Sequence, residues 1–81
     1  MLTPDQLMVL NTSTWTRDFS VLPQWFEHRD LLSTMLASGL LEEDEAIGDH
    51  TVWRTCEDGY PVTLKASNDG LVALAQYRSR T

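Results

Sequence analysis

Behind Thr3-Pro4 the apolar residues Leu7 and Leu10 stand three apart, with Met8 beside them, the spacing of one inward helical face. Thr3 is a good N-cap, Pro4 suits the first helical position, and Asp5-Gln6 complete the first turn. Small polar residues gather at Asn11–Ser13 and predict the end of this helix. Trp15–Leu22 alternates only loosely and reads either as a short strand or as a lead-in to the next helix. From Pro23 to Ser38 the helical period returns: Trp25 or Phe26, then Leu32, Met35 and Leu36, fall on one side, with Ser20 as the N-cap candidate. This stretch is one helix, or two with a break near Glu27–Arg29. Gly39 matches a helix C-cap, and Leu40 can fold back onto the last turn.

The period then changes to two. Leu40 and Leu41 open an extended segment that becomes strongly acidic. In Thr51–Thr55, Val52 and Arg54 lie on one side, Thr51, Trp53 and Thr55 on the other. Tyr60–Lys65 is a second β run with Val62 and Leu64 on one face, and Pro61 within it points to an edge strand. Glu57-Asp58-Gly59 joins the two runs as a hairpin. Ser67, Asn68 and Asp69 offer N-cap chemistry to a last helix whose apolar face is Leu71, Leu74, Ala75 and Tyr77, flanked by Val72. Trp15, Trp25, Phe26 and the Leu/Met stripe of residues 31–36 are expected in the core. Strict alternation does not let Val52 and Trp53 both face it. Either Trp53 is inward, or a large aromatic is displayed beside carboxylates.

Two stretches carry a family resemblance. "LLSTMLASGLLEE" (Leu31–Glu43) is similar to a recognition helix running into the first wing strand, and "VTLKASNDGLVALAQY" (Val62–Tyr77) resembles the second wing strand and the capped helix after it. Together they span about a third of the chain, and both are the pattern of a winged helix-turn-helix domain. The resemblance implies an α+β fold for residues 1–81 as one winged-helix-like domain: two to three N-terminal helices, a β-hairpin wing and a C-terminal helix. It also implies a transcriptional regulator that places a recognition helix in the major groove, in the form of a dimer. On that reading His28, Arg29, Ser33 and Thr34 face bases, and Arg54 and Lys65 face phosphates.

Charge changes this picture. The chain of 81 residues carries a net −6, and residues 27–58 hold nine acids (Glu27, Asp30, Glu42, Glu43, Asp44, Glu45, Asp49, Glu57, Asp58) against only Arg29 and Arg54. Such a field repels phosphate backbones and favours basic protein partners. DNA affinity rests chiefly on Lys and Arg neutralising phosphates, and the presumed docking face supplies few. The preferred expectation is therefore a small acidic winged-helix-type regulator that binds a protein partner, of the kind phages and mobile elements direct at host factors. Its surface is expected at Glu42, Glu43, Asp44, Glu45, Trp53, Glu57 and Asp58. The DNA-binding dimer is the alternative.

Other chemistry adds little. Cys56, the one cysteine, lies by a hairpin turn beside two acids, which dulls a thiol. Glu42–Glu45 with Asp49 and His50 offer carboxylates, but the EF-hand spacing is missing, so no metal is expected. No nucleotide loop, catalytic triad pattern or cofactor motif is present, and neither enzymatic activity nor a cofactor is expected. No apolar run is long enough to span a bilayer, and MLTPDQL lacks the features of a signal peptide, so a cytoplasmic protein is expected.

Overall fold

A reciprocal capping box opens the first helix. In the computed structural model, which describes residues 2–79, the Thr3 hydroxyl accepts the Gln6 N–H at 3.2 Å while the Gln6 side chain accepts the Thr3 N–H at 3.1 Å. Two orphan donors of α1 (Pro4–Ser13) are thereby satisfied, and Pro4 occupies the first turn, where a missing N–H is harmless. Val9 and Leu10 are buried and Leu7 is half-buried, whereas Met8 is exposed. At about 100° per residue, the first three share one arc and Met8 falls opposite it.

The stretch after α1 turns and then lies along the sheet. Ser20 forms a single antiparallel bridge with Lys65, flanked by Val21 N–H to Leu64 O at 2.9 Å and Ala66 N–H to Phe19 O at 2.8 Å. Ser20 is therefore not a helix cap; its hydroxyl donates to Asp18 Oδ1 at 2.8 Å. Trp15, expected in the core, stands on the turn beyond the last buried position of α1 and is 72% exposed. The helical stretch that follows is divided: a short 3-10 helix (Pro23–Glu27), then α2 (Arg29–Ala37), interrupted at His28. Leu32 and Met35 of α2 are buried, and Trp25, Phe26 and Leu36 are half-buried against the same core. Gly39 ends the helix at φ 84°, with Leu40 N–H bonded to Met35 O at 2.9 Å and Gly39 N–H to Leu36 O at 3.2 Å. These are the two bonds of a Schellman ending, and Gly adopts that left-handed position without strain.

Three strands form an antiparallel sheet: β1 (Leu41–Glu45), β2 (Arg54–Thr55) and β3 (Pro61–Ala66), in the order β1-β3-β2. β3 is central, not the edge strand that Pro61 led us to expect. Pro61 is tolerated because it is the first residue of the strand, and its carbonyl still accepts Ala46 N–H at 2.9 Å. The turn at Glu57-Asp58-Gly59 joins β2 and β3 as expected, with Gly59 N–H on Cys56 O and Cys56 N–H on Tyr60 O, both at 2.9 Å. β2 is shorter than its alternating sequence predicts. Trp53 N–H bonds Val62 O at 2.6 Å although Arg54 is the register partner of Val62, so two residues oppose one in a β-bulge. The bulge ends the strict alternation there.

α3 (Asn68–Ser79) is capped by Ser67, whose hydroxyl accepts Gly70 N–H at 2.9 Å and donates to Gly39 O. Leu74 is buried and Leu71 half-buried, while Ala75 and Tyr77, expected on the same apolar face, are exposed. Leu10, Leu32, Met35 and Leu64 lie fully buried where the helices meet the sheet. The described residues thus form a small α+β domain of three α-helices and a three-stranded antiparallel sheet.

Candidate functional site

The four consecutive acids of the sequence, Glu42–Glu45, fall in β1, and a strand sends alternate side chains to opposite faces. Glu42 and Asp44 share a face with Lys65 of β3, whose Nζ lies 3.0 Å from Asp44 Oδ2 and 3.7 Å from Glu42 Oε1. Glu43 faces the other way and receives Arg54, which reaches over β3 from β2. Arg54 Nε donates to Glu43 Oε2 at 2.5 Å and Nη2 to Oε1 at 2.8 Å, a two-pronged pair. The Arg54 hydrogen bonds hold the Glu43 carboxyl below its ordinary range, and Lys65 does the same for Asp44. Each base is raised in return by its acid. Alternation also separates carboxylates that adjoin in sequence: among the described residues no three His, Cys, Asp or Glu side chains gather as a metal would require.

Glu45 makes no salt bridge among the described residues, and its N–H is taken by Asp44 Oδ1 at 2.9 Å. Beside it lies a shallow depression lined by Glu43, Asp44, Glu45, Tyr60 and Val62, with Tyr60 58% exposed. Glu57 and Asp58 are exposed on the turn that follows β2. The acidic residues singled out from the sequence therefore lie along β1 and at the β2–β3 turn. Tyr60 and Val62 were missed by sequence reading, although both sit in the β run directly after the turn.

Trp53 corrects the expected surface. It is 8% exposed and covered, with the Arg29 guanidinium 4.0 Å from its ring centre and donating to its carbonyl at 3.3 Å. Phe26 meets the ring edge-on with centroids 6.1 Å apart. A residue closed over in this way does not present its ring to a partner. Val52, its neighbour, is the exposed one.

The residues considered for DNA are distributed as follows. His28, Arg29, Ser33 and Thr34 are exposed at the start and along the outer side of α2, interspersed with Glu27 and Asp30. His28 rests near Trp25, with ring centroids 5.8 Å apart, and Thr34 donates to Asp30 O at 2.9 Å. All three strong bases of the set are already engaged: Arg29 on Trp53, Arg54 on Glu43, Lys65 between Glu42 and Asp44.

A further polar cluster was not legible in the sequence. Asp18 Oδ1 accepts the Ser20 hydroxyl, and Asp18 Oδ2 lies 2.5 Å from His50 Nε2, a partner 32 residues away. His50 Nδ1 accepts Ile47 N–H at 3.0 Å, so Nε2 carries the proton donated to Asp18. The Ser20 bond, assisted by His50, lowers the Asp18 carboxyl to about 2. Ser20 and His50 both bond to Asp18 and not to each other, so no hydroxyl is set against a base. The cluster fastens the loop before β2 to the turn after α1.

No protein-family model, curated protein or solved structure matches the chain. Among the described residues no helix is long and apolar enough to cross a membrane.

Proposed function

We propose that this is a small winged-helix-type protein that acts by binding a basic surface of a protein partner through β1 and the β2–β3 turn. The observation that carries the reading is the engagement of Arg29, Arg54 and Lys65 by groups of the chain itself. Cations held by internal carboxylates or over a ring are poor neutralisers of phosphate, and duplex binding requires several such contacts. Glu45, Glu57 and Asp58, by contrast, make no salt bridge among the described residues and are exposed. What supports the winged-helix part is the order of elements: a helix, a segment bridged to β3 at Ser20, two short helices, then β1, the hairpin and α3. Fold alone does not assign function, and the partner class rests on the charges.

The test uses Glu45→Lys, Glu57→Lys and Asp58→Lys together, since none of the three breaks a salt bridge. Partners captured by the immobilised full chain are identified by mass spectrometry and then measured directly against the triple variant. Loss of binding with an unchanged circular dichroism spectrum is expected. Unchanged binding overturns the surface. The DNA alternative predicts retention of a genomic DNA pool at low salt, weakened by added salt and lost in Arg29→Ala. Absence of retention at low salt removes it.

A further inference from the structure

Resting on that acidic-surface reading, we infer that the partner is an extended basic segment that adds to the sheet as a fourth strand along the open side of β1, with a Lys or Arg side chain in the depression beside Tyr60. The hydrogen-bond pattern identifies the open groups. Ser67 N–H bonds Leu40 O at 3.1 Å and Ala46 N–H bonds Pro61 O at 2.9 Å, at the two ends of the β1–β3 ladder. Antiparallel pairing alternates between inward and outward backbone groups. Glu42 and Asp44 therefore turn their N–H and C=O towards β3, and Leu41, Glu43 and Glu45 turn theirs away from it. The capture of Glu45 N–H by the Asp44 carboxylate agrees with this phase. An incoming strand finds both groups of Glu43 and the carbonyl of Glu45 on a five-residue edge whose first residue, Leu41, is buried; the opposite edge strand, β2, has two residues.

Charge selects the occupant. Four carboxylates on β1 are met by two cations, Lys65 and Arg54, both of which approach from the β3 side. The outer side is left with an excess of negative charge, which excludes acidic segments and attracts basic ones. On the face shared by Glu43, Glu45 and Val62, the depression supplies an unbridged carboxylate at Glu45, an aliphatic floor at Val62 and the ring of Tyr60. A long basic side chain fits all three, its stem on Val62 and its charge between carboxylate and ring. Backbone pairing supplies affinity in such strand addition, and alternate side chains supply specificity.

The probe is a capped peptide of alternating lysine and valine, titrated into the isotope-labelled full chain. The amide of Glu43 is expected to shift and to become protected from exchange. Glu43→Pro, which removes an outward N–H, is expected to bind about tenfold more weakly than Glu43→Ala, which keeps it. Methylation of alternate backbone nitrogens of the peptide is expected to abolish binding. Glu45→Lys and Tyr60→Ala are each expected to weaken it. If the methylated peptide binds like its parent and Glu43→Pro matches Glu43→Ala, strand addition is overturned while an acidic docking surface survives through the effect of Glu45→Lys. If Glu45→Lys also has no effect, both readings fail. Failure of the parent peptide to bind overturns the inference and shows the carboxylates only to be guarding the edge against pairing.

Discussion

Arg29 places its guanidinium over Trp53, 4.0 Å from the ring centre, and it also donates to the Trp53 carbonyl at 3.3 Å. One side chain thus ties the first turn of α2 to the residue that enters β2, across 24 positions of sequence. Arg29→Ala should lower stability by about 1 kcal/mol, the scale of an exposed cation–π contact plus a modest hydrogen bond. Arg29→Lys should recover only part, because a compact ammonium lacks the planar fork that stacks and donates together. Urea unfolding followed by tryptophan fluorescence measures both. An Arg29→Ala variant as stable as the parent would show the contact to be incidental.

Gly70 has a different kind of dependence. A Cβ added there would stand 2.1 Å from Leu40 O, a backbone atom that also accepts Ser67 N–H, so neither side can yield cheaply. Gly70→Ala should destabilise by about 2 kcal/mol despite the better helix propensity of alanine. For a domain of this size the melting temperature should fall by about 10 °C. A melting temperature at or above that of the parent would mean that α3 can move away from the α2–β1 turn.

The Asp18 cluster predicts a pH dependence. Its carboxyl ordinarily titrates at 3.8 and is lowered to about 2 by Ser20 and His50. A depressed acid binds more protons unfolded than folded, so its contribution is complete above 3.8 and disappears as the pH falls towards 2. Asp18 is 49% exposed, so solvent screening keeps the effect small. Asp18→Asn should flatten the stability profile in that acid window and leave the profile above it parallel to that of the parent. Denaturant unfolding at a series of pH values reads the difference.

Glu43 and Arg54 should show a measurable coupling. The pair is two-pronged but partly open to water, and a small favourable coupling is expected from a double-mutant cycle, declining as salt is added. The exchanged pair, Glu43→Arg with Arg54→Glu, should retain more stability than either single reversal, because each single change sets like charges together. Equal stability of all three would indicate that the geometry contributes nothing in solution.

Local chemistry made much of this fold legible. The Thr3 cap, the Gly39 ending, the Glu57-Asp58-Gly59 turn and the Ser67 cap each depend on residues within a turn of one another, and each stands where the residue types indicate. Periodicity placed Leu32, Met35, Leu64 and Leu74 inside. It misjudged Trp15, because an aromatic beyond the end of a helix has no period to assign it. It left Trp53 open, because a bulge removes the alternation on which a choice would rest. Among the acids, the sequence indicated the charge of each but not its partner.

What the sequence determined by itself was most of the elements, the Thr3 and Ser67 caps, the Gly39 ending and the acidic character of the middle of the chain, since these follow from neighbours and from composition. Tertiary structure alone decided that β3 runs between β1 and β2, that Arg54 and Lys65 close on the acids of β1, and that Asp18 meets His50. Those outcomes depend on strand register and on contacts between segments 11 to 32 residues apart. The physical reason is that an ion pair or a strand neighbour is chosen by which segments the shared core brings together. No residue type encodes that choice locally.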